Sequence, residues 1–206
     1  MVIAGIDIGF NHTGIVLARP DRSSPTGWDI LDNVCIHTVP SKSKKQRKLD
    51  QSGVAAKDVF RSILLKKLVS KSLLCYNVDG VVVEVPTGGS KSARAGRCMG
   101  MATSIIACVV EEFQSVAREE HRVFLAHYIA PLETKHYAAE LLCIGKGAVS
   151  KDKVAECVTF CFKDQNVEWP KKKKDREHVI DAAGALLVAA GHPEFYCSLF
   201  CGENDD

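Results

Sequence analysis

Apolar and polar positions alternate at the start of the chain, where residues 2–8 are rich in β-branched side chains and predict a strand. Residues 9–13 form a polar turn and residues 14–19 predict a second strand, so the chain opens on an antiparallel hairpin. A loop rich in Pro and Ser follows at 20–26. Residues 28–39 predict a third strand, interrupted by Asp29, Asp32 and Asn33. After a run of lysines the period changes. Val54, Phe60, Ile63, Leu64 and Leu68 recur at threes and fours within 49–74, which predicts a helix. Asp79-Gly80 turns the chain into Val81-Val82-Val83-Glu84-Val85, apolar enough to be a strand buried on both faces. Residues 93–117 predict a second long helix, with Gly96 and Gly100 offering a small-residue face for close packing. Then come a strand at 123–129 and a short helix at 132–143 opened by Pro131. Ser150 is placed to cap a helix running to Phe162. An Ala-rich helix follows at 176–190, with Asp175 as its cap and Gly191-His192-Pro193 as its stop.

This order predicts an α/β fold: a mixed central sheet of about five strands flanked by helices on both faces. Residues 1–190 are expected to form a single domain, with 191–206 a peripheral tail. A chain of 206 residues with 46% hydrophobic and 25% charged residues has the composition of a globular domain. At this size it buries roughly 70% of its unfolded surface. Apolar runs such as 182–190 fall short of the ~20 residues of a membrane span, and the N-terminus lacks the pattern of a secretion signal, so no membrane partner is expected. Nine cysteines at irregular spacings, mostly among apolar neighbours, fit an intracellular, reducing compartment. Cys157/Cys161 and Cys197/Cys201 would share helix faces, which leaves a structural zinc open although the spacing is not C-x-x-C.

Charge changes the picture locally. The net formal charge is only +2, yet Lys42, Lys44, Lys45, Arg47 and Lys48 crowd one segment and Lys171, Lys172, Lys173 and Lys174 another, while the C-terminus is acidic. Such runs are either solvated loops or surfaces for a polyanion.

Two carboxylates stand where burial makes them costly. Asp7 ends the first strand in Ile6-Asp7-Ile8, and Glu84 lies in the most apolar strand of the chain. A buried carboxylate costs several kcal/mol unless a proton, a cation or a metal offsets its charge, and two invite a shared cation. His178 and Asp181 are three apart on the last predicted helix and so project from one face. Oxygen-dominated sites suit Mg²⁺ or Mn²⁺, and one imidazole leans toward Mn²⁺. Each residue alone has a plainer reading: a turn-forming Asp, an ion-paired Glu, a hydrogen-bonded His. Their order along the chain is more specific than any one of them.

That order resembles the RuvC family of junction resolvases within the RNase H-like superfamily. Ile3-Ala4-Gly5-Ile6-Asp7-Ile8-Gly9 with Thr13-Gly14-Ile15 is similar to the family's opening hairpin, and Val81-Val82-Val83-Glu84 to its second acidic strand. Pro131, Lys135, the Gly145/Gly147 loop and Lys151 resemble the stretch carrying its basic residues, and His178-Val179-Ile180-Asp181-Ala182-Ala183 its closing acidic helix. The match departs at Ser41–Lys48, at Gly88–Arg97 and after Gly191, as a phage or organelle member would. The resemblance implies an RNase H-like fold and a crossover junction endodeoxyribonuclease that cuts four-way DNA by paired symmetric nicks, leaving 5′-phosphate and 3′-hydroxyl ends. Asp7, Glu84, His178 and Asp181 would hold two Mg²⁺ or Mn²⁺ ions, Asp7 between them, one ion activating water and the other stabilising the leaving oxygen. Lys151, or Lys135, would steady the phosphate or the developing charge. DNA contacts are expected from Lys42, Lys44, Lys45, Arg47, Lys91, Arg94, Arg97, Lys135 and Lys171 through Lys174. Paired incision implies a homodimer, with the glycine-bearing helix either an interface element or packed on its own sheet. No nucleotide cofactor is expected.

Three other readings compete, the first of them left no room by 206 residues and no second phosphate loop. Asp7-Ile8-Gly9 with Thr13-Gly14 also resembles the phosphate hairpin of actin-like ATPases and sugar kinases, which need two such domains. A nuclease of the same fold could cut flaps, forks or RNA–DNA hybrids. A non-catalytic DNA-binding protein could keep the fold, although the four ligand-type residues argue against it.

Overall fold

The computed structural model describes residues 1–39, 53–87, 92–143 and 149–200. Strands β1 (Ile3–Asp7), β2 (His12–Pro20), β3 (Trp28–His37), β4 (Gly80–Glu84) and β5 (Leu125–Ile129) form one sheet in the order β3-β2-β1-β4-β5. The first three pair antiparallel, as short connections allow, whereas β4 lies parallel to β1 and β5 parallel to β4. A parallel return needs a crossover, which α1 (Val54–Cys75) and α2 (Ala93–Glu119) supply. The opposite face carries α3 (Pro131–Leu141), α4 (Lys151–Cys161), α5 (Lys173–Ala190) and α6 (Pro193–Phe200). This is the mixed α/β architecture that the sequence predicts.

Period-two alternation sorts the strand side chains into two cores. Ala4, Ile6, Ile15, Leu17, Val81 and Val83 pack with Leu65 and Val69 of α1 and Ile106 and Val109 of α2. Ile3, Val16, Ala18, Val82 and Ile129 pack on the other face, mostly against the fully buried α5 residues Ala182, Ala185, Leu186 and Ala189. The helix lies unusually close to the sheet because Gly5 and Gly14 face it. A Cβ on Gly5 would collide with the carbonyl of Ala182, and one on Gly14 with the carbonyl of His178. Trp28 ties β3 to the same helix, its Nε1–H donating to the carbonyl of Leu186 at 2.8 Å.

Four expectations are corrected. Asp175 does not cap the last helix: Lys172 is the N-cap, without a side-chain bond, and Asp175 lies within the first turn. Residues after Gly191 are not simply a peripheral tail. Pro193 starts a new helix, as proline at a first helical position can, and Phe195 and Leu199 are buried in the α5-side core. The expected close packing of the small-residue face of α2 is not made at Gly100. A Cβ on Gly100 would meet nothing within 4 Å; Cys98 and Met101 reach the core only partly buried, and the fully buried positions of the helix are Ala102, Ile106, Val109, Val110 and Ala117. Strand β3 ends at His37, two residues early, and its interrupting Asp29 and Asp32 are exposed, as charged residues on an edge strand are. Helix α2 also reaches a mean hydropathy of 1.2 over 18 residues, enough on length and composition to cross a membrane, yet Ile106, Val109, Val110 and Ala117 are spent on the core.

Candidate active site

Asp7 and Glu84 end neighbouring parallel strands and are register partners. Counted by twos, Asp7 shares the face of Ile3 and Gly5, and Glu84 that of Val82, so both carboxylates face α5. That helix brings His178 and Asp181 to the same end of the sheet. His178 Nδ1–H donates to Asp7 Oδ2 at 2.5 Å. Lys151, at the start of α4, donates from Nζ to Asp181 Oδ2 at 3.1 Å. Thr134 Oγ1–H of α3 donates to Glu84 Oε2 at 3.3 Å. Five of the expected residues therefore converge from β1, β4, α4 and α5.

Their charges are poorly balanced. Glu84 is 9% exposed, and burial pushes its carboxyl up to about 8, with the Asp7 and Asp181 carboxylates adding to the effect. Burial also raises Asp181, again with help from Asp7, and Lys151 only partly offsets it. His178 is raised above an ordinary imidazole, chiefly by its hydrogen bond to Asp7. Burial alone would lower Lys151, but Asp181, with Asp7 and Glu84 behind it, outweighs burial and raises it. Three carboxylates thus share a partly buried pocket with one lysine and one imidazole. A divalent cation suits this deficit, and an oxygen-dominated donor set suits Mg²⁺ or Mn²⁺.

Clefts flank the start of α5 on both sides. One, of about 480 Å³, is lined by Phe10, Asn11, His12, Arg61, Arg94, Lys174 and His178. The other, of about 300 Å³, is lined by Lys151, Lys173, Arg176 and Asp181. A larger cavity of about 600 Å³ lies at the far end of the sheet, around Leu73, Phe113 and Phe124, away from all four ligand-type residues.

The expected DNA-contacting residues are distributed unevenly. Lys42, Lys44, Lys45, Arg47 and Lys91 lie outside the described residues. Lys171 through Lys174 are exposed at the N-terminal end of α5, where the helix dipole disfavours cations. Arg94 is exposed and lines the larger flanking cleft, 3.9 Å from Asp58. Arg97 is spoken for: its Nη2 sits 2.7 Å from Asp58, a carboxylate only 2% exposed that also draws Arg61. Lys135 is half-buried on α3.

Sequence reasoning missed a neighbouring set. His12, Cys35, His37 and Asp175 each place one ligand-type atom within 4.8 Å of the others. His12 also stacks on His178, with ring centroids 5.6 Å apart and planes 17° from parallel. The available signal was Cys35-x-His37, two potential ligands on one face of a strand.

No protein-family model matches the sequence, and no curated protein matches it. Among solved structures the fold is similar to RuvC of T. thermophilus in complex with a Holliday junction substrate, with a TM-score of 0.59 and 19% identity, covering 97% of both chains. Thermus thermophilus RuvC in a second structure gives a TM-score of 0.60 and 20% identity, covering 97% of this chain and 96% of that one. The yeast mitochondrial Holliday junction resolvase Ydc2 gives 0.57 and 17%, covering 96% and 85%. These likenesses show that nearly the whole chain shares the fold of the RuvC structures.

Proposed function

We propose that this chain is a divalent-metal-dependent endodeoxyribonuclease that resolves four-way DNA junctions, working as a homodimer that makes paired symmetric nicks. The observation that carries the reading is the convergence of Asp7, Glu84 and Asp181 on one face at one end of the sheet. A single lysine and a single imidazole leave their charge short of balance, in a fold similar to that of junction resolvases.

Asp7, Glu84 and Asp181 are the residues that would hold Mg²⁺ or Mn²⁺, with His178 beside them. When bound, two such ions supply a water nucleophile at neutral pH and neutralise charge on the leaving oxygen. The chain itself does the positioning. His178 fixes the Asp7 carboxylate by its 2.5 Å hydrogen bond, an orienting role as well as a ligand role. Lys151 holds Asp181 and keeps a positive charge beside the carboxylates, where it can meet a phosphate oxygen. The cleft lined by Arg61, Arg94 and Lys174 is basic and gives the DNA backbone a path to the centre, whereas in the cleft on the other side Asp152, Glu177 and Asp181 offset Lys151, Lys173 and Arg176. Of the four exposed lysines at this helix start, Lys173 already pairs with Glu177 at 3.9 Å, and the others leave positive charge near the positive end of the helix dipole that a phosphate backbone would compensate. Recognition of a branch then rests on geometry and backbone contacts. A second copy has a surface to use: Val59, Phe60 and Ile63 of α1 are 57%, 60% and 62% exposed.

A panel of end-labelled junction, fork, flap and RNA–DNA hybrid substrates tests the proposal. Symmetric paired nicks in the junction, leaving 5′-phosphate and 3′-hydroxyl ends and needing Mg²⁺ or Mn²⁺, are expected. Asp7→Asn should keep junction binding and lose cutting by on the order of 10²–10³-fold or more. Preferential cutting of flaps, forks or hybrids would replace the junction assignment, and binding without cutting at any metal concentration would end the nuclease reading.

A further inference from the structure

We infer that His12, Cys35, His37 and Asp175 form a second metal site of the tetrahedral Zn²⁺ class, next to the carboxylate cluster but separate from it. Each residue offers one donor atom, and the four atoms lie within 4.8 Å of one another. A tetrahedral zinc with nitrogen or oxygen at about 2.0–2.1 Å and sulfur at about 2.3 Å spaces its donors roughly 3.3–3.6 Å apart. One donor pair is already at that spacing, His12 Nδ1 to His37 Nδ1 at 3.1 Å, whereas Asp175 Oδ2 meets the same ring at its other nitrogen, Nε2, at 3.3 Å, so the His37 ring or the Asp175 carboxylate turns to bring its donor to the ion. Small side-chain adjustments complete the set.

The sheet register explains why these four meet. His12 and His37 are partners across the β2–β3 ladder, and Cys35 sits two residues before His37 on the same strand face. Asp175 lies in the first turn of α5, the helix that covers that face. Three separate stretches of chain therefore aim donors at one point. Two imidazoles, a thiolate and one carboxylate select a borderline-soft ion, whereas Mg²⁺ prefers an all-oxygen octahedron with waters. The Cys35 thiol gives its proton to solvent as the sulfur–metal bond forms, and the resulting thiolate and carboxylate balance the two charges of the ion.

The site would work as a strap. It joins the open end of the β2–β3 hairpin to the start of α5, three residues before His178. Through the His12 ring stacked on His178, it would hold the imidazole that orients Asp7. The inference rests on donor type and geometry and stands whether or not the chain cuts DNA.

Full-length protein, stripped with a chelator and titrated with Co²⁺ as the probe and Zn²⁺ as its competitor, provides the test. Placing Asp7→Asn in every sample removes competition from the carboxylate cluster. One equivalent of Co²⁺ should bind with tetrahedral absorption and a thiolate-to-cobalt charge-transfer band, and Zn²⁺ should displace it. Cys35→Ser should abolish that band, His37→Gln should weaken binding at least tenfold, and Cys161→Ser should change neither. Saturating Zn²⁺ should raise the unfolding midpoint by roughly 5–15 °C, a gain that His37→Gln loses. Far-UV circular dichroism verifies each fold, and His37, exposed at the end of its strand, decides if Cys35→Ser does not fold. Absence of stoichiometric binding by the folded protein, or a charge-transfer band that survives Cys35→Ser, would overturn the site.

Discussion

Two clusters of ligand-type residues sit side by side on the α5 face, and their chemistry differs because their places in the sheet differ. Asp7 and Glu84 end the interior strands β1 and β4, where solvent is scarce and carboxylates strain against burial. His12, Cys35 and His37 lie on β2 and the edge strand β3, where His37 is exposed and His12 and Cys35 are half-buried. Gly14 stands between the two, register partner of Asp7 on one side and of Cys35 on the other, directly beneath the carbonyl of His178. The pair teaches that a single helix start can serve two sites of different hardness. Asp181 goes to the oxygen-rich centre, Asp175 to the nitrogen–sulfur one, and His178 stands between them.

The largest effect expected from separating the clusters is at Glu84. Its carboxyl titrates at about 8 in the folded chain, against an ordinary value of 4.5, so the folded state holds a proton that the unfolded state has lost. Metal-free stability should therefore fall as pH rises from about 4.5 to 8. Glu84→Gln should remove that loss, raising metal-free stability at pH 8 by on the order of 3–4 kcal/mol and changing it little at pH 4, as read by chemical denaturation. The same linkage means that Mg²⁺ must displace a proton, so its affinity for the wild type should tighten between pH 6 and 8 and level off above. A flat profile would show that Glu84 does not join the cation site.

Gly14→Ala should strike both clusters at once. Its Cβ would force α5 off the sheet, costing roughly 3 kcal/mol and displacing His178 and Asp175 together. Loss of cleavage and of Co²⁺ binding in the same variant would confirm the shared hinge, whereas loss of only one would break it. Lys151→Met touches the inner cluster alone. Removing its charge should lower the cleavage rate by roughly 10–100-fold without weakening Mg²⁺ binding, since Asp181 loses a competitor for the metal. Weaker Mg²⁺ binding would instead make Lys151 a prop for the ligand. The smallest effects are expected in the clefts. Arg94→Ala and Lys174→Ala should each reduce the salt dependence of junction binding by about one unit of slope. Arg97→Ala should instead cost stability, because it leaves the buried Asp58 short of a partner.

Much of this arrangement was legible before the fold was known, for a local reason. Period-two alternation over residues 2–8 and 81–85 fixes which strand positions share a face, and the i, i+3 spacing of His178 and Asp181 fixes theirs. Carboxylates within apolar strands advertise themselves by their cost. Helix caps were less legible. Asp175 has the chemistry of a cap, yet the helix starts two residues earlier and its carboxylate turns toward His37. The role of Arg97 was hidden as well, because Asp58 lies far from it in sequence and no local pattern announces a buried ion pair.

The amino-acid order alone determined the strands, the long helices, the sidedness of β1 and β4 and the carboxylates at their ends, since these follow from interactions among residues a few positions apart, but it did not determine which faces of α1 and α2 are buried. Tertiary structure decided which elements became neighbours. Only the register of β2 on β3 and the close seating of α5 over Gly5 and Gly14 bring His12, Cys35, His37 and Asp175 together. Those contacts span up to the length from His12 to Asp175, a distance at which chain packing, rather than any short-range periodicity, chooses the partner.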